Sequence, residues 1–263
     1  MEKTKIDWCD SSWNPVTGCL HPCQYCYARN IANRFSGNLQ TDNVFVELND
    51  RVYNNDSKKA EAYPYGFNPT LHRYRLNEYV GKKGRNIFVC SMADLFGNWV
   101  PDYWIEEVFE ACKSAPQHNY LFLTKNPNRY VELQEEGKLI VANNIWYGAS
   151  VTTKDQLSVA SDSFAQLNCN AKTFLSVEPL LEDITLSDDW GYCIEAHLAD
   201  WVIVGAETGT RKDKVIPEKE WISSIILDCN KEKIPVFMKA SLTDIWNDSL
   251  VQEFPVQLSN KET

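Results

Sequence analysis

Short apolar runs alternate with amphipathic stretches through most of the chain. "NIFVCSM" (86–92), "NYLFLTK" (119–125), "NIWYGASV" (144–151), "KTFLSVEPL" (172–180), "DWVIVGAE" (200–207) and "PVFMKA" (235–240) each read as a buried strand. The segments between several of them carry apolar residues at helical spacing. "PDYWIEEVFEACKSA" (101–115) has Pro101 near its first turn, and "NPNRYVELQEEG" is opened by Asn126 and Pro127 and closed by Gly137. Further helices are predicted around "TKDQLSVASDSFAQL" and over "PEKEWISSIILDCNKEK" (217–233). With a first strand just before Gly18, the chain holds about seven βα units. This predicts one α/β domain over residues 1–263: a parallel (β/α) barrel, complete or partial. An open doubly wound sheet is the competing arrangement.

Residues 37–84 break the rhythm. They lie between the first helix and the strand at 86, are rich in Asn, Tyr and turn residues, and are too long for a simple connection. They read as an insertion after the first helix, placed to act as a lid or substrate loop.

Composition narrows the class. Of 263 residues, 44% are hydrophobic and 24% charged, as in an ordinary soluble domain. No apolar run approaches the roughly 20 residues that span a bilayer, and "MEKTKIDWCDSSW" lacks the apolar core of a signal peptide. A cytoplasmic location without membrane attachment is expected. The net charge of −10, with no basic block longer than "KK", argues against broad binding to a nucleic-acid backbone. A local basic groove remains open. Nine cysteines in a cytosolic chain do not suggest a disulfide framework. Cys9, Cys90, Cys112, Cys169, Cys193 and Cys229 are scattered singly, and most of them read as small buried hydrophobes.

The other three are not scattered. "NPVTGCLHPCQYCYARN" places Cys19, Cys23 and Cys26 within eight positions, after the first strand and running into the first helix. Polar residues recur where later strands end: "SMAD", "TKNP", "SVTT", "SVEP" and "GAETG". In a parallel barrel such loops converge on one face, where active sites are built; the same residue types also cap the following helices. Three thiolates can hold three irons of a 4Fe-4S cluster and leave the fourth iron without a protein ligand. A zinc or fully cysteine-ligated site, with Cys9 as fourth ligand, is the alternative. His21, inside the loop, is either a competing ligand or part of the loop's packing.

The Cys19-x3-Cys23-x2-Cys26 spacing, with the aromatic Tyr25 before the third cysteine, resembles the cluster motif of the radical S-adenosylmethionine (radical SAM) superfamily. "WNPVTGC…CYA", "SMADLFG", "LTKNPNRY", "SVEPLLEDI" and "VIVGAETG" together resemble a phage-associated family of radical-SAM-like proteins, over roughly residues 6 to 240. The resemblance implies S-adenosylmethionine on the open iron, cleaved reductively to a 5′-deoxyadenosyl radical. It also implies a small electron-transfer protein, flavodoxin or ferredoxin, as reductant. By position it assigns Ser91 and Asp94 to the SAM amino group, although Gly-Gly-Glu is absent. "WVIVGAE" keeps the glycine Gly205 of an adenine-side element and places Glu207 one position early. Ser176 and Glu178 are assigned to ribose or carboxylate, Lys239 to the SAM carboxylate or a substrate phosphate, and Ser150 to the same mouth.

Cys90, at a strand end, is a candidate hydrogen donor to a substrate radical if its side chain faces inward; a buried core cysteine is the other reading. The aromatic insertion, with His72, Arg73, Tyr74 and Arg75, offers charge and stacking for a nucleotide or unstacked nucleic-acid base. Two other classes stay open: a non-catalytic iron–sulfur or zinc module acting through a protein partner, and a hydrolytic barrel enzyme using Asp94, Glu178 and Glu207.

Overall fold

A computed structural model describes residues 4–37, 39–184 and 199–259. Its main sheet has seven strands, all parallel: β1 (Ser11–Trp13), β5 (Asn86–Val89), β6 (Asn119–Thr124), β7 (Ile145–Ser150), β8 (Lys172–Val177), β9 (Val202–Val204) and β10 (Val236–Met238). They lie side by side in chain order, with β1 and β10 at the two edges. A doubly wound sheet would reverse its strand order partway. No reversal occurs here, and among the described residues the helices over 102–113, 128–135, 154–165 and 219–232 pack on one face, as right-handed crossovers require. The fold is a partial parallel (β/α) barrel.

Strand alternation divides the core in two. Ile87, Val89, Tyr120, Phe122, Tyr147, Leu175, Val177 and Val204 face the helices. There they meet α2 (Asp102–Lys113), α3 (Asn128–Glu135), α4 (Lys154–Ala165) and α5 (Lys219–Glu232). Helix α2 shows how the pattern works: Trp104, Ile105, Val108, Phe109 and Cys112 recur at helical spacing and are buried. The residues in between, Phe88, Leu121, Trp146, Phe174, Ile203 and Phe237, form a second core with Trp8, Trp201 and Leu258 on the concave face. The barrel is therefore filled with rings at this level, and no channel runs through it.

The C-terminal segment covers the end where strands begin. Asn86 and Asn119 donate side-chain hydrogen bonds to the carbonyls of Leu258 and Gln257, and the Trp201 indole donates to Glu253. The opposite end carries the loops after each strand.

The strand expected just before Gly18 is two pieces. β1 joins the main sheet, whereas β2 (Val16–Thr17) pairs antiparallel with β4 (Thr70–His72) of the insertion, which also pairs with β3 (Val46–Leu48). The insertion is thus tied by a second sheet to the stretch that leads into Cys19. Gly18 permits the junction: its φ is +86°, and a Cβ there would lie 2.2 Å from the Asn68 carbonyl oxygen. The Gly18 amide donates to Met92 and the Cys19 amide to Phe67.

Gly148 lies opposite Phe174 in the register of β7 and β8, and a Cβ on it would meet the Phe174 ring at 2.3 Å. Both strands are buried, so the ring has nowhere to move. Gly148→Ala is expected to cost about 1–3 kcal/mol, as overpacking of a filled core does. A denaturant midpoint unchanged by the substitution would show that the ring shifts freely.

Candidate functional site

Cys19, Cys23 and Cys26 sit on one loop at the open end of the barrel, and all three are half-buried free thiols. Cys26 is the N-cap of α1 (Tyr27–Arg34); its sulfur accepts the Arg29 amide at 3.3 Å. The Arg29 guanidinium reaches back to the carbonyls of His21 (2.8 Å) and Cys19 (3.3 Å) and lies over the Phe67 ring. Burial pushes the Cys19 thiol up to about 12, and the charges of Asp94, Cys23 and Cys26 push the same way. Cys23 is also raised by burial, with Lys125 acting against it. Lys125, at the end of β6, lies 5.3 Å from the centre of the Tyr25 ring.

Among the described residues no three His, Cys, Asp or Glu side chains converge as ligands of one metal ion. A preformed tetrahedral site of Cys9 with the loop cysteines is therefore absent there. Cys9 belongs instead with the concave-face core, its thiol raised to about 12 by burial. A cluster is larger than an ion, and its ligands surround it rather than meet at a point. The donor set fits one: three free thiols on one loop, within reach of each other's charge, whose protons metal binding would displace.

Asp94, only 6% exposed, uses both carboxylate oxygens. Oδ1 accepts from the Thr124 hydroxyl (2.7 Å) and the Phe96 amide (3.1 Å). Oδ2 accepts from the Lys125 amide and pairs with His21 Nε2, each at 2.9 Å. Ser91 donates to Asn14 Oδ1, which also holds the Met92 amide.

A second group lies along the same sheet edge. Glu178 pairs with Lys239 beside Gly205, where a Cβ would touch the Lys239 Cδ at 3.0 Å. Tyr27 joins the two groups: its hydroxyl donates to the Ser91 carbonyl at 2.8 Å, and it feels the charges of Glu178, Cys26 and Cys9. It is 48% exposed, yet the protein packed around it pushes its phenol well above the usual range. Ser150 ends β7 half-exposed, and Ser176 is buried within β8.

Other expected residues are engaged elsewhere. Glu207 is clamped by Arg211 through two 2.7 Å bonds within its own loop, which lowers its pKa. Cys90, 3% exposed and at φ +59°, lies in the helix-side core, close enough to Cys112 for the thiols to influence each other. It is a core cysteine, and a donor role toward the mouth has no support in its position. In the insertion, Arg73 pairs with Glu107 and Glu47. Arg75 donates to the carbonyls of Asn14 and Ala62 and stacks on Tyr74. His72 is fully buried, bonded to the Thr17 hydroxyl (2.9 Å) and to Tyr74 (3.2 Å). The positive charge expected of this group is absent at His72 and neutralised at Arg73.

Sequence reasoning missed Tyr27, Lys125 and Asn14. Their one signal is adjacency: Tyr27 follows Cys26, and Asn14 and Lys125 each end a strand piece.

A family model described as "Protein of unknown function (DUF5131)" matches residues 3–249. No curated protein matches the sequence. Among solved structures, a point mutant of spore photoproduct lyase aligns with a TM-score of 0.48 and 11% identity, over 90% of this chain and 78% of that one. Among the described residues no helix is long and apolar enough to cross a membrane.

Burial lowers the His72 pKa from 6.5 to about 3, with Arg75 adding to the effect. Between those values the unfolded chain binds a proton that the folded chain refuses, so stability falls as the pH is lowered. From pH 7 to pH 5 this residue alone is expected to remove about 2 kcal/mol. Denaturant titrations of wild type and His72→Gln at both pH values check it. Equal pH dependence in the two would contradict a neutral buried His72.

Proposed function

The chain belongs to the DUF5131 family, and we propose that it is a radical SAM enzyme in which Cys19, Cys23 and Cys26 hold a 4Fe-4S cluster. One observation carries the reading: three free thiols share a single loop at the open end of a partial parallel barrel, with no fourth cysteine among them. When bound, such a cluster and S-adenosylmethionine supply a one-electron reductive cleavage. The chain supplies the surroundings. Tyr25 and Lys125 flank Cys23, and Tyr27 offers a ring beside the Glu178–Lys239 pair and Gly205. The aromatic end core leaves entry from the loop side alone.

Ser91, Ser150 and Ser176 remain candidates for the cofactor's polar groups. Asp94 enters through the loop it anchors, because its oxygens are already occupied. We infer a nucleotide or nucleic-acid base as substrate. Exposed Tyr27 supports a stacking surface and Lys125 an anion contact, where the insertion's paired cations do not. A flavodoxin or ferredoxin would deliver the electron. The hydrolytic reading is weaker, since Asp94, Glu178 and Glu207 are each bound to donors of the chain itself.

Anaerobic reconstitution with iron and sulfide tests the proposal. Wild type and Cys9→Ala are expected to take up about four irons per chain. Replacing any one loop cysteine by alanine should remove most of that iron and abolish dithionite-driven SAM cleavage. Mass spectrometry of nucleic acids incubated with the loaded enzyme then searches for product. Loss of iron in Cys9→Ala equal to that in the loop variants would sink the open-iron arrangement.

A further inference from the structure

We infer that His21 is a positioning residue: its pairing with Asp94 latches the Cys19–Cys23 half of the cysteine loop to the barrel. The inference rests on the cluster reading above. The eight-residue stretch from Cys19 to Cys26 is held at both ends. Its first end is fixed by the Cys19 amide on Phe67 (3.3 Å) and by Arg29 on the Cys19 carbonyl. Its second end is fixed by helix α1, through the Arg29 amide on the Cys26 sulfur and the Cys26 amide on the Cys23 carbonyl.

Between Cys19 and Cys23 lie Leu20, His21 and Pro22, of which His21 alone has a polar side chain. Its Nε2 reaches Asp94 Oδ2 at 2.9 Å, and its ring stands edge-on to Trp99 with centroids 4.8 Å apart. Asp94 is a firm post. Its other partners are the Phe96 amide, the Thr124 hydroxyl and the Lys125 amide, from the loop after β5 and the end of β6. All three are donors, so the carboxylate is an acceptor and His21 Nε2 carries the shared proton. That nitrogen is therefore committed to Asp94 and not to iron.

A cluster must find its three sulfurs already separated and oriented. A loop that had to be ordered on loading would lose affinity to that ordering. Helix α1 orients Cys26 and reaches Cys23 through one backbone bond, while the opposite side of Cys23 is held by the Arg29 guanidinium on the His21 carbonyl (2.8 Å) and, toward the barrel, by the latch. Without it, the stretch between Cys19 and Cys23 keeps the Arg29 bond to the His21 carbonyl but loses its one side-chain tie to the barrel.

The test compares wild type, His21→Ala and His21→Gln, as apoprotein and after anaerobic reconstitution. His21 is half-exposed, so both variants should fold; unaltered hydrogen exchange in β5–β8 confirms it. In the apoprotein, His21→Ala should speed exchange of the Cys19 and Cys26 amides, the two bonded ones in the loop, about tenfold or more, the fold-change of one charge-assisted hydrogen bond. In the reconstituted protein it should lose iron to a chelator about tenfold faster. His21→Gln keeps an N–H donor for Asp94 and should recover most of both effects. Loop exchange and iron loss at wild-type rates in His21→Ala would overturn the latch, as would a glutamine variant no better than alanine. If wild type takes up no iron, the cluster reading falls, while the exchange comparison still decides whether the latch exists.

Discussion

The architecture depends on one constraint, the fixed hand that parallel βα crossovers take. Seven parallel strands in chain order, each returning the same way, leave one face for helices and one for whatever the chain can pack inside. The inner residues near the strand starts are large and apolar: Phe88, Leu121, Trp146, Phe174 and Phe237. Towards the strand ends they become small or polar: Gly148, Ser150, Ser176, Gly205 and Lys239. The same alternation that makes strands therefore makes a solid end and a chemical end. The C-terminal segment adds to the first by bonding to Asn86 and Asn119, which leaves the second free for loops.

The insertion shows how folding can commit residues that the sequence also offers to a ligand. His72, Arg73, Tyr74 and Arg75 look like an anion site because three residues that can carry positive charge surround an aromatic ring. Folding uses them otherwise. Burial deprotonates His72 between Thr17 and Tyr74, and Arg73 is matched by Glu47 from β3 and Glu107 from α2. Those acids lie 26 residues before and 34 residues after Arg73 in the chain, so no local pattern discloses the pairing. What the insertion supports is the cysteine loop, through β4 on β2 and Phe67 on Cys19.

Much of the fold was legible because burial on both faces writes continuous apolar runs. Strands β5 to β10 and helices α2 to α5 fall within the stretches expected for them. The first strand was harder: β1 and β2 are three and two residues long, too short for a period to register, and they serve different sheets. At the site, the cysteine spacing was visible because its ligands are neighbours in sequence. Cys90 shows the limit of alternation. Its left-handed backbone ends the strand's regular geometry, and the thiol turns into the helix-side core. Cys193 and the segment around it lie outside the described residues.

Charge at the open end is settled mostly within the chain. An acidic protein would be expected to crowd carboxylates there, and it does, but each singled-out carboxylate has a local donor. Asp94 takes two backbone amides, a hydroxyl and a histidine; Glu178 takes Lys239; Glu207 takes both arms of Arg211. A carboxylate held this way has little basicity to offer a substrate, because its charge is already stabilised. The three loop cysteines differ. Burial raises the Cys19 and Cys23 thiols further above neutrality, and no disulfide is made. Their chemistry becomes available when something removes the protons, and a metal centre does so directly. The sulfur loop is thus the part of the mouth that folding leaves chemically incomplete.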